Sequence, residues 1–175
     1  EVRISATPVT GNADAKISIA RADVISSGMI KHTISLNPAL RKALDNHDDS
    51  EKLNAVLLRQ ALLKRQQIAD EYKAQGININ PLLLIQLPND DSETMSREED
   101  DLKANLLAQL QDRYGISREN GKLAVWLAGE KTNLDGIEAP TSLVDVLLFK
   151  QAIALGWDCP RAAVLLIFRR LSSFT

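Results

Sequence analysis

The sequence predicts an α/β domain: a mostly parallel sheet with helices on both of its faces. Three observations predict it. Short apolar runs recur at 82–87, 122–128, 144–149 and 163–168, each bounded by turn or polar residues. Long stretches with apolar residues at helical spacing precede the first run and separate it from the second. Strands alternating with helices make βαβ units, whose right-handed crossovers put strands side by side and parallel.

The elements follow in order along the chain. Val2-Arg3-Ile4 reads as a short strand leading into Ser5-Ala6-Thr7-Pro8. Pro8 disfavours helix at Thr7 and ends regular pairing. Residues 9–21 are small and mixed, and read as a linker or a loop with a strand in it. Residues 30–36 alternate weakly and read as an edge or first strand. Asn37-Pro38 starts a helix, with Asn as N-cap and Pro at the first helical position, ending near His47. A longer helix covers 51–75, its face marked by Leu53, Val56, Leu57, Ala61, Ile68 and Tyr72, with Gly76 closing it.

Pro81 precedes the run 82–87, whose unbroken apolarity marks a strand buried on both faces. Pro88-Asn89-Asp90-Asp91 breaks it. Ser96-Arg97-Glu98-Glu99 has the form of a capping box. The helix it predicts carries Leu102, Leu106, Leu110 and Tyr114 on one stripe and ends at Gly115. Residues 122–128 form the next strand and 130–141 a loop, and two further strands flank the segment 150–162, which opens on the polar pair Lys150-Gln151 and continues as a short amphipathic helix. The domain boundary falls near residue 30, giving units 1–30 and 31–175.

The chain has 175 residues, enough for a substantial core, and 45% of them are hydrophobic. Lys plus Arg is 21 and Asp plus Glu is 23, a net charge of −2. That balance carries no global electrostatic signature of nucleic-acid binding, so any DNA contact must be local. The single cysteine, Cys159, forbids an internal disulfide and fits a reducing, cytoplasmic setting. No run approaches the roughly 20 apolar residues of a membrane span. The chain opens without Met and inside an apolar run, which suggests a piece of a longer protein.

The most informative stretch is Phe149-Lys150-Gln151-Ala152-Ile153-Ala154-Leu155-Gly156-Trp157-Asp158-Cys159-Pro160-Arg161-Ala162. Lys150 and Gln151 stand just past the carboxyl end of a strand, where open α/β sheets bind ligands. Gly156 permits close backbone approach or a left-handed turn. Asp158 can accept hydrogen bonds from a hydroxyl. Trp157 reads as a packing residue and Cys159 as a buried structural thiol. His32 and His47 lack metal-ligand spacing. Gly129-Glu130-Lys131-Thr132 only mimics the end of a phosphate loop. The acidic pairs Asp48-Asp49, Asp90-Asp91 and Asp100-Asp101 suit helix starts and water.

These residues resemble a known family. Ser5-Ala6-Thr7-Pro8 resembles motif III of superfamily 2 helicases and translocases. Residues 82–88 resemble the strand opening their second RecA-like lobe, and 144–163 their motif V. Within that superfamily, the Lys-Gln-Ala-Ile-Ala and Gly-Trp-Asp-Cys-Pro-Arg strings are most similar to the restriction (Res) subunit of type III restriction enzymes. The resemblance implies a three-layer RecA-like fold of the P-loop NTPase type. It implies the tail of the first motor lobe plus most of the second, truncated before motif VI.

The resemblance further implies an ATP-dependent DNA translocase and endonuclease, partnered by duplex DNA, a methyltransferase (Mod) subunit and the first RecA-like lobe. Lys150 and Gln151 would contact the DNA backbone. Gly156 and Asp158 would approach the nucleotide, and Ser5 and Thr7 would couple the lobes. The usual threonine near Lys150 and aspartate near Gln151 of the superfamily are replaced here, while the restriction-subunit pattern is kept. ATP and Mg2+ would bind the full-length protein. This chain has no G-x-x-x-x-G-K-[ST] loop, paired-acid metal motif or arginine-bearing motif VI, so no catalytic set is complete and the chain alone is expected not to hydrolyse ATP. The other class of reading is a non-catalytic α/β interaction domain with a degenerate helicase-like fold.

Overall fold

A computed structural model describes residues 17–28, 50–88, 93–150 and 157–168. The chain divides into two compact units, Glu1–Ala39 and Leu40–Thr175. In the first, a short helix α1 (Arg21–Ser26) buries none of its residues. The strands expected at 2–4 and 30–36 and the helix after Asn37 lie outside the described residues.

In the second unit the order is α2 (Ser50–Ala74), β1 (Leu82–Gln86), α3 (Glu93–Tyr114), β2 (Leu123–Leu127), β3 (Glu130–Thr132), β4 (Val146–Phe149) and β5 (Ala162–Ile167). The strands form one five-stranded sheet in the order β3-β2-β4-β1-β5. β1 runs parallel to β4 and β5, and β4 parallel to β2. Only β3 is antiparallel, paired with β2 at the sheet's edge. The fold is therefore α/β with a mostly parallel sheet.

Each element has a local cause. α2 ends where Gly76, at φ 71°, takes the left-handed conformation that L side chains resist. Ile77 N–H then reaches back to Tyr72 O at 2.9 Å and Gly76 N–H to Lys73 O at 3.1 Å, the double bond of a Schellman end. α3 begins at Glu93, three residues ahead of Ser96, so Ser96 lies inside the helix and not at its cap. β3 was expected as loop. Gly129, at φ 80°, lets the chain reverse after β2, and Glu130-Lys131-Thr132 pair back onto it. The phosphate-loop mimic is thus a hairpin strand.

The sheet's two faces are covered differently. On one, Leu83 and Ile85 of β1, Val125 of β2 and Leu148 of β4 pack beneath Leu58 and Leu62 of α2 and Leu106 and Leu110 of α3. Both long helices therefore share a face. On the other, Leu82, Ala124, Leu147 and Phe149 pack against Ile137, Val144 and Cys159, which belong to connecting segments. Among the described residues, connecting segments and no helix cover this second face; residues 151–156, where the short helix between β4 and β5 is expected, lie outside the described residues. β4 is buried along its whole length, which is why its sequence shows no alternation. Each fully buried Leu in this core contributes about 1.5–3 kcal/mol.

The buried stripe of α2 meets the expected face only in part. Ala61 is buried and Leu57 packs against the core as expected, but the stripe turns to Leu58, Leu62 and Arg65. A charged residue at a core position hides the stripe from an apolar count.

Candidate functional site

The four parallel strands end together at Gln86, Leu127, Phe149 and Ile167. Between neighbours β1 and β4 the connections part. From β1 the chain passes through α3 toward β2 on one side, and from β4 it passes toward β5 on the other. Where connections leave two adjacent strands in opposite directions, open α/β sheets usually bind ligands at the strands' carboxyl ends. The last rung between β1 and β4 at this end is Leu87 N–H to Phe149 O at 2.8 Å.

Lys150 stands directly beyond that rung, half-buried. Gln151 and Gly156 lie outside the described residues, as do Ser5 and Thr7. Asp158 is exposed. It sits in the segment that returns over the second face to the start of β5. Just before it, Trp157 meets Trp126 of β2 edge to face, ring centroids 6.2 Å apart at 88°. Trp157 Nε1 donates to Glu138 at 2.6 Å. Trp126 in turn stands beside Phe149 across the ladder, so Trp157 packs on the strand next to the one that delivers Lys150. Cys159 is buried, and loss of solvent pushes its thiol above the ordinary value, against the opposing pull of the Arg161 charge. That is the chemistry of an inert thiol.

Among the described residues, no group of three or more His, Cys, Asp or Glu could hold a metal ion. Asp100 and Asp101 are exposed on α3. His32, His47 and the pairs at 48–49 and 90–91 lie outside the described residues. No described helix is long and apolar enough to cross a membrane.

At the opposite rim, where the strands begin, lies a polar cluster that the sequence reading missed. Arg65 of α2 pairs with Asp145 and donates to Asn80 Oδ1 at 2.6 Å. Asn80 Nδ2 donates to Ser142 O at 2.8 Å and to Asp145 Oδ1 at 3.1 Å. Arg161, 2% exposed, donates from Nε to Ile137 O at 2.6 Å and from Nη1 to Asn80 O at 2.7 Å and Val144 O at 2.9 Å. Burial lowers the pKa of both guanidiniums. Asp145 opposes that shift at Arg65 through its charge and hydrogen bond. The cluster joins a helix to the starts of β1, β4 and β5. Its signal in the sequence was Asp145 itself, a carboxylate inside the apolar run 144–149, which can be buried only with a partner.

No protein-family model matches this chain, and neither a curated protein nor a solved structure matches it.

Proposed function

We propose that this chain is the second motor lobe of an ATP-dependent DNA translocase or helicase of the type III restriction endonuclease kind. The lobe would have the three-layer RecA-like arrangement, supplying one wall of the ATP cleft and contacts to the DNA backbone. One observation carries the reading: Lys150 stands at the carboxyl end of β4, where the connections of β1 and β4 diverge. A lysine there can pair with phosphate as a compact point charge. The exposed carboxylate of Asp158 accepts hydrogen bonds from a hydroxyl, as a nucleotide sugar offers. Gly156 would let the backbone approach the same ligand, and Gln151 would join Lys150 on DNA. Ser5 and Thr7 would couple this lobe to the first RecA-like lobe. That lobe would hold most of the ATP and Mg2+, and a methyltransferase subunit would choose the DNA site. The protein would work in the cytoplasm.

The test is DNA-stimulated ATP hydrolysis by the complete motor. Lys150→Ala is expected to abolish stimulation by DNA, and Asp158→Ala to weaken nucleotide use. Unchanged stimulation in both variants removes the assignment. A non-catalytic interaction domain is the second reading. Leu165 and Ile167, 54% and 37% exposed on β5, favour it because they give the strand an apolar outer surface. ATP hydrolysis that depends on Lys150 would dispose of it.

A further inference from the structure

The turn between α3 and β2 carries chemistry that no motor or interaction role uses. Asn120-Gly121 is the only Asn-Gly pair in the sequence. Glycine lacks a Cβ, so its backbone amide is the least hindered nucleophile that can follow an asparagine. In deamidation, Gly121 N attacks Cγ of Asn120 and forms an N–Cγ bond. The Gly121 N–H proton passes to Nδ2 by way of water, the Cγ–Nδ2 bond breaks and ammonia leaves, closing a succinimide ring. Water then opens the ring to aspartate or isoaspartate, so the steps need no reagent but water.

In the folded chain both reacting groups are engaged. Asn120 Oδ1 accepts from Ser117 N–H at 3.2 Å and from Lys122 N–H at 3.1 Å. Its Nδ2, the leaving nitrogen, donates to Gly115 O at 2.7 Å. The nucleophile, Gly121 N–H, donates to Arg118 O at 3.1 Å. Attack requires Gly121 N to leave Arg118 and turn toward Cγ, and Nδ2 to leave the helix end at Gly115. Leu123 N–H to Ser117 O, at 3.0 Å, and Asn133 Nδ2 to Arg118 O, at 2.9 Å, brace the same turn from the strand side.

We infer that Asn120-Gly121 is a latent deamidation site, silent while the α3–β2 junction is closed and reactive when it opens. The product cannot restore the junction. A carboxylate at position 120 has no hydrogen to give Gly115 O and places negative charge against it. Each opening therefore risks a permanent change, and modification at 120 records how often the junction has opened.

The experiment incubates the protein at mildly alkaline pH, with and without urea, and follows position 120 by peptide mapping and mass spectrometry. Modification in urea is expected to exceed that of the folded protein by about tenfold or more, because reaction through local opening scales with the open fraction. Asn133→Gly keeps the left-handed backbone available but removes both Nδ2 bonds, to Arg118 O and to Leu123 O at 2.8 Å; it is expected to raise the folded-state rate about threefold or more and leave the rate in urea unchanged. Equal rates with and without urea, no modification at 120 in either, or a folded-state rate unmoved by Asn133→Gly would each overturn the inference.

Discussion

Arg65 on α2 forms an ion pair with Asp145, which lies 80 positions further along the chain and immediately ahead of β4. Both side chains are largely withdrawn from water, and Asn80 closes the third side of the pair. Removing one partner strands the other, and a buried unpaired charge costs far more than the pair contributes. Asp145→Ala is expected to lower stability by about 3–5 kcal/mol. Urea unfolding followed by circular dichroism reads this directly. A loss comparable to that of a surface substitution would mean that Arg65 finds water instead.

Leu148 is fully buried at the centre of the sheet, beneath both long helices. Leu148→Ala removes apolar contact and leaves a cavity that the rigid parallel ladder cannot close. The expected cost is about 2–5 kcal/mol, measured by the same unfolding experiment.

Gly129 turns the β2–β3 hairpin at φ 80°, and a Cβ there would touch nothing within 4 Å. Gly129→Ala therefore isolates the backbone term from any steric one. The expected loss is about 1–2 kcal/mol. Hydrogen exchange should speed up first at the amides of 130–132, which only the hairpin protects.

Cys159 makes stability depend on alkaline pH. Burial holds its folded pKa above the ordinary thiol value of 9.0. Over that interval the unfolded chain releases a proton that the folded chain keeps. Stability is thus intact below the ordinary thiol range and falls as pH rises through it. Cys159→Ala is expected to flatten this alkaline decline, and a slope identical to wild type in unfolding at several pH values would refute the cause.

Much of the second unit was legible in the sequence. The strand at 82–87 and the helix at 51–75 announce themselves by Pro81, unbroken apolarity and Gly76. The stripe Leu102, Leu106, Leu110 packs inward as its spacing requires. Failures arose where tertiary contacts override local pattern. Arg65 interrupts the apolar stripe of α2 because its charge is answered by Asp145, far away in sequence. Glu130-Lys131-Thr132 resembles loop because its strand character comes from pairing with β2 and from ion pairs of Glu130 with Lys103 and Arg118. At the candidate site, apolar run and polar stop located Lys150 at a strand end. Its neighbourhood depended on strand order, which no local pattern encodes.

The arginine lock at the start of the strands and the lysine at their tips lie at opposite rims of one sheet, a strand's length apart. That separation is a division of labour. Substitutions around the tips leave the lock's hydrogen bonds whole, so variation there can be explored without the architecture being put at stake.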